Sequence, residues 1–365
     1  MAQLNIEIFP HPSFLNRATQ FQKKYNLVNI LVPGDQKYSR RNLRSYSSRT
    51  CRFCGLSYPN TPFSNYSHLL PQMIGNTNLY SDFECDKCNE TFSRFENDLA
   101  GFLGVSRSIT GLSGEKQATG FSGRKIGVKS RSFVGDNILI IAPEDAQREG
   151  TTTTLTYLKN SFTPANVYKA LLKCALSLLK EEEIRENYTH AIDYLSGRGV
   201  IMSGAVISGY QLSFKANMPL HVYIFHKKVL EDHVPTYVMC FYFQNHIITF
   251  PIPFDEVNNA GVSEQDIILP PPYFANEDAL TALMPVPFIR DMCSIDKVED
   301  EEDKIIIQVD PESLTNLSRY DPVTDTHEDA EYNLDIPKYI ILTKDGVTID
   351  PKNLSAFIKK QMEGK

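Results

Sequence analysis

Cys51, Cys54, Cys85 and Cys88 form two CxxC pairs separated by Gly55 to Glu84. Each pair places two sulfurs on one side of a tight turn, so four thiolates can surround one tetrahedral Zn²⁺ at roughly 2.3 Å. A segment this short cannot build its own core, and a metal staple can take its place. The pairs therefore predict a structural zinc site. The other three of the seven cysteines, Cys174, Cys240 and Cys293, sit among apolar neighbours and predict inert core thiols rather than a disulfide framework.

The chain has 365 residues, more than one domain at roughly 100–200 residues each. Its 42% hydrophobic and 22% charged content is enough to bury a core. The organisation read from it is α+β: residues 1–48 as an N-terminal segment with a basic arm, 49–104 as the zinc-stapled module, and 105–365 as a larger α+β region for recognition, regulation or oligomerisation. A strand is expected at Leu4 to Phe9. Phe92, Phe95, Leu99 and Phe102 recur at helical spacing and predict a helix over Asn89 to Leu103. Val105 to Arg131 is broken by glycine and serine into loops or short strands. Asn137 to Ala142 and Thr151 to Leu158 read as strands. Thr163-Pro164 supplies an N-cap and an N1 proline to a helix over Ala165 to Glu186. Gly199 to Phe254 is β-rich. Further strands are read at Lys304 to Val309 and Tyr339 to Leu342, and a last helix from Pro351.

The formal net charge of −7 argues against a nucleic-acid coat protein, but the charge is unevenly placed. Lys37, Arg40, Arg41, Arg44, Arg49 and Arg52 follow one another without an acid, and Arg124 and Lys125 belong to a second basic stretch. Acids gather late, at Glu299 to Asp303 and Asp321 to Glu331. Arg40, Arg41, Arg44, Arg49, Arg52, Arg124 and Lys125 are thus candidate phosphate contacts, the alternative being a solvated surface. Tyr38 and Tyr46, among the arginines, could stack on bases. His221, His226, His233 and His246 fit no ligand spacing and read as strand or surface histidines. There is no P-loop and no nucleophile-elbow motif. No apolar run is long enough to cross a bilayer and the start lacks an export-signal pattern, so a cytoplasmic protein with no membrane partner is expected.

Between the cysteine pairs stands Ser67-His68-Leu69-Leu70-Pro71. Asn89 directly follows the last cysteine, and Glu96 and Asp98 lie about two helical turns further on. In this order the segment resembles the HNH endonucleases, the ββα-metal nucleases, in their branch with two zinc knuckles. The resemblance covers about 50 residues. It implies an enzyme: a metal-dependent endonuclease hydrolysing phosphodiester bonds of DNA, with structural Zn and a catalytic Mg or Mn. Such hydrolysis needs a base to deprotonate water and a cation beside the leaving oxygen. By the resemblance, His68 is the general base, Asn89 fixes the loop carrying it or reaches the metal, and Glu96, with Asp98 in reserve, binds the metal. Where many members carry an acid or histidine before the base, this chain has Ser67, which leaves the first metal ligand open. Free-standing proteins of this kind resemble bacterial restriction or anti-phage defence effectors. Two other readings stand beside it: a non-catalytic zinc ribbon binding nucleic acid or protein, and an RNA-directed nuclease or toxin of the same fold. A second copy of the chain is a candidate partner.

Overall fold

The computed structural model describes residues 9–10, 12–109, 121–133, 136–143, 146–199, 205–212, 218–229, 234–252, 270–274, 285–308, 319–321, 326–328 and 340–342. Helix and strand are mixed, and the chain divides into two compact units. One comprises Met1–Gln117 with Ser161–Glu299, the other Ala118–Asn160 with Asp300–Lys365. This division does not coincide with the segmentation at 49 and 105 read from sequence. Each unit is assembled from distant stretches, which local patterning does not reveal.

The larger unit is built on a six-stranded antiparallel sheet. Its order is Val286–Asp291, Val206–Gln211, His246–Pro251, Tyr237–Gln244, Met218–Lys227 and Tyr25–Leu31. Side chains alternate across it. Met239, Phe241 and Phe243 join the main core, whereas Val238, Cys240 and Tyr242 join a second cluster with Phe21, Tyr25 and Tyr273. Burial on both faces is why the central strand reads YVMCFYF, a continuous apolar run without polar alternation. The strand Tyr25–Leu31 and the preceding helix Leu15–Lys24 lie where the sequence suggested only an arm, and the expected strand at Leu4 to Phe9 falls mostly outside the described residues.

The main core also takes in a helix at Pro164–Leu178, buried at nearly every position. It starts at Pro164 as expected but stops at Leu178, and shorter helices follow at Glu181–Asn187 and Thr189–Leu195. Both ends are capped from outside. The Thr163 side chain makes no cap hydrogen bond; instead the Asp98 carboxylate accepts from the Thr163 N–H at 2.7 Å and from Asn166 Nδ2 at 2.8 Å. At the other end Arg52 Nη1 donates to the carbonyls of Leu176 (2.8 Å) and Leu179 (3.1 Å), groups the helix itself leaves unpaired. The expected run to Glu186 is interrupted where Leu179 turns extended as the C-cap, and the chain becomes helical again at Glu181–Asn187.

In the other unit, Thr152–Leu158 pairs with Ala146–Glu149 and with Glu302–Gln308, while Phe121–Gly123, Ile126–Phe133, Asp136–Pro143 and Ile340–Leu342 form a second sheet. The strands expected near Asn137, Thr151, Lys304 and Tyr339 are all present, and the helix expected from Pro351 lies outside the described residues. Among the described residues no helix is long and apolar enough to cross a membrane.

Candidate metal centre and the histidine beside it

The first knuckle is a tight turn in which the Gly55 N–H donates to the Cys51 carbonyl at 2.9 Å. Gly55 sits at φ +74°, a region open to glycine without steric cost. The second knuckle is a helix start. Cys85 is the N-cap of Asp86–Leu103 and Cys88 lies in its first turn, where the helix dipole favours thiolates. The Asp86 carboxylate accepts from the Ser64 and Asn65 N–H groups, each at 3.0 Å, and the Arg52 N–H donates to the Phe83 carbonyl at 2.8 Å, joining the knuckles.

The four ligand sulfurs lie within 4.8 Å of one another, and those of Cys54 and Cys85 are 3.7 Å apart. A tetrahedron of thiolates at roughly 2.3 Å from zinc has edges of about 3.8 Å, so the spacing fits a shared ion. A hydrogen bond from Cys88 pulls the Cys51 thiol down to about 5, burial pushes Cys54 up to about 11, and donation to Cys51 together with burial pushes Cys88 up. One thiolate forms readily while the next is opposed, a conflict that a divalent cation relieves. Four protein ligands would complete the shell of such an ion, as in structural zinc sites. Cys174, Cys240 and Cys293 stand apart from this group.

His68 lies between the knuckles, in a bridge with Tyr80; the neighbouring Leu69 N–H donates to the Leu79 carbonyl (3.0 Å) and the Ser81 N–H to the Ser67 carbonyl (2.8 Å). The loop closing this pairing is held by Asn76, which is fully buried. Its Nδ2 donates to the carbonyls of Leu70 (2.7 Å) and Leu79 (2.9 Å), and its Oδ1 accepts from the N–H groups of Asn78 and Leu79. The loop-fixing role expected of Asn89 is therefore filled by Asn76; Asn89 is helical, its N–H donating to the Cys85 carbonyl. The His68 ring is half-buried, its centroid 4.8 Å from that of Tyr80, and Gln72 Nε2 donates to its Nε2 at 2.7 Å. Ser67 is buried, with its hydroxyl near the Glu84 carbonyl rather than turned outward as a ligand.

Lys173 and Glu84 carry no motif and were not singled out in the sequence. Lys173 Nζ lies 3.1 Å from Glu84 Oε2 with the two side chains 2% and 0% exposed, and it donates to the His68 carbonyl at 3.0 Å. Burial lowers the Lys173 pKa, but the carboxylates of Glu84 and Glu96 outweigh it and hold the ammonium above its usual range. Glu96 is half-buried, and burial raises its carboxyl against the attraction of Lys173. Glu96 and His68 thus share one neighbour, Lys173. Asp98 has both oxygens engaged as the helix cap.

The arginines divide. Arg44 makes a two-pronged pair with Asp82 (2.9 and 3.0 Å), Arg49 is buried beneath the Tyr46 ring, and Arg52 pairs with Glu181 at 2.8 Å while capping the buried helix. Arg124 and Lys125 pair with Asp300 and Glu302. Arg40 and Arg41 remain exposed, with Arg40 lying over the rings of Tyr66 (4.7 Å) and Tyr80 (4.6 Å). His221 stacks on Tyr242, His226 packs on Tyr237 and His246 on Phe243. Among the described residues no three histidine, cysteine or acidic side chains converge besides the knuckle cysteines. No protein-family model, no curated protein and no solved structure matches the chain.

Proposed function

We propose that the chain is a metal-dependent endonuclease of the HNH type, cutting phosphodiester bonds of DNA, with structural zinc at Cys51, Cys54, Cys85 and Cys88. The observation that carries this reading is the order of parts around the cysteines: a paired segment presenting His68, its return at Tyr80, then a helix bearing Glu96. A Mg²⁺ or Mn²⁺ on Glu96, completed by phosphate oxygens and water, would supply charge neutralisation at the leaving oxygen. His68 accepts the proton of the attacking water through Nε2, the nitrogen now taken by Gln72, so water must displace the amide. Lys173, gripping the His68 carbonyl, keeps the residue from shifting. A role in restriction or anti-phage defence rests on the family resemblance alone.

The hold of Gln72 on Nε2 favours one rival, a zinc ribbon that binds without cutting. Supercoiled plasmid, linear DNA and RNA incubated with the purified chain and Mg²⁺ or Mn²⁺ separate the readings. DNA should be nicked by the wild type, and His68→Ala should lose about 10²–10⁴-fold in rate with its zinc retained. Equal behaviour of the two proteins on every substrate would leave only the ribbon, and cleavage confined to RNA would move the target to RNA.

A further inference from the structure

The exposed tyrosines are concentrated beside the knuckle. Among the described residues the large apolar or aromatic side chains left exposed include three tyrosines, Tyr46 (41%), Tyr58 (47%) and Tyr66 (49%), all within the knuckle and its approach. Each is mounted on fixed backbone. Tyr46 opens a 3-10 turn whose last carbonyl contact is the Arg49 N–H at 3.2 Å; the Tyr58 N–H donates to the Arg49 carbonyl at 3.2 Å; and the two N–H groups before Tyr66 are tied to Asp86. Cations back the rings: the Arg49 guanidinium is 4.6 Å from the Tyr46 centroid, and that of Arg40 is 4.7 Å from Tyr66 and 4.6 Å from Tyr80. The Tyr80 ring in turn lies 4.8 Å from the His68 ring. Tyr66 also meets the Tyr80 ring edge-on, with centroids 6.2 Å apart, so Tyr66, Arg40, Tyr80 and His68 form one contiguous group with Tyr66 at its exposed margin.

An aromatic face left open to water at a cost, held rigid and paired with arginine, has the chemistry that receives an unpaired nucleobase and its phosphate; paired bases keep their faces inside the duplex. We infer that Tyr66 and Arg40 form a stacking subsite for single-stranded nucleic acid, delivering the adjoining phosphodiester to His68. This rests on the nuclease reading for its purpose, but the binding itself is separable from cleavage.

The test is fluorescence anisotropy on the full chain with no added Mg²⁺ or Mn²⁺. The probes are labelled oligothymidine and oligouridine of about 15 nucleotides, within the range of single-strand site sizes, and a blunt DNA hairpin. Single strands should bind more tightly than the hairpin. Tyr66→Ala should weaken single-strand binding roughly 5- to 100-fold, Tyr66→Phe should restore it because the ring face is kept, and neither should change hairpin binding. The two single strands sort DNA from RNA. Tight duplex binding equal to that of single strands, no binding to any probe, or Tyr66→Ala binding like the wild type would each overturn the subsite. If Tyr66-dependent binding holds while wild type and His68→Ala are equally inert in cleavage, the subsite stands and the nuclease reading falls.

Discussion

Lys173→Met removes the cation buried against Glu84 while keeping most of the side chain's length and apolar volume, so cavity effects stay small. What remains is Glu84, 0% exposed and now without the ammonium 3.1 Å away, beside a His68 carbonyl that has lost its donor. Breaking a buried ion pair from one side costs about 3–5 kcal/mol where the surviving charge stays desolvated; burial already pushes the Glu84 carboxyl up to about 7 against the pull of Lys173, so this is the cost above that pH, and it shrinks as Glu84 takes up a proton. For a unit of this size that is a fall in Tm of about 6–20 °C. Thermal and urea unfolding, followed in zinc-buffered solution, measure it. The companion variant Lys173→Met/Glu84→Gln removes the stranded charge and should regain at least half the loss, a coupling that exposes the pair directly. A Lys173→Met protein within about 1 kcal/mol of wild type, or a double variant no better than the worse single one, would refute the claim that this contact is a desolvated ion pair.

Cys88→Ser should lose bound zinc, measured by metal analysis of the purified chain, and should unfold at lower urea, since the ligand set would drop to three and the ion's binding energy is folding energy; His68→Ala should keep its zinc. Asp82→Asn tests a second pair. Burial raises the Asp82 carboxyl, but hydrogen bonds and charge from Arg44 overcome it and hold the group below the usual carboxylate range. Its stabilising contribution is therefore complete above the unfolded value of about 3.9 and disappears as pH falls through the lowered folded value. With the pair half exposed on the arginine side, the wild-type advantage over Asp82→Asn should be about 0.5–1 kcal/mol near pH 7 and should vanish in strong acid; an advantage that grows as pH falls would contradict the assignment.

What the sequence discloses here is local chemistry, and what it conceals is long-range partnership. Two CxxC turns carry their own geometry, so the cysteine group was legible, as was the proline that opens the helix at Pro164. The same helix ends where Arg52 arrives from more than 120 residues away, and no reading of Leu178 and Leu179 alone could place that end. Asn76 was concealed for a different reason: a buried asparagine that closes a loop looks like any turn residue until its four backbone partners are seen. Tyr25–Leu31 lacks the period of a half-buried strand because its register slips between Leu27 and Asn29, and its membership depends on Met218–Lys227. Arg49 and Arg52 read as phosphate contacts by type, and burial gives them structural work instead.

The capping of one core helix from both directions by knuckle side chains, Asp98 at its start and Arg52 at its finish, makes the metal-bearing segment inseparable from the body it belongs to. Excised alone, it would leave Leu99 and Phe92 without cover and the core helix with bare termini. An ion held by the four sulfurs would then act on far more than its own loop. Through those struts, the free concentration of a metal ion taken up by the four sulfurs would set, logarithmically, how firmly the six-stranded unit stays folded.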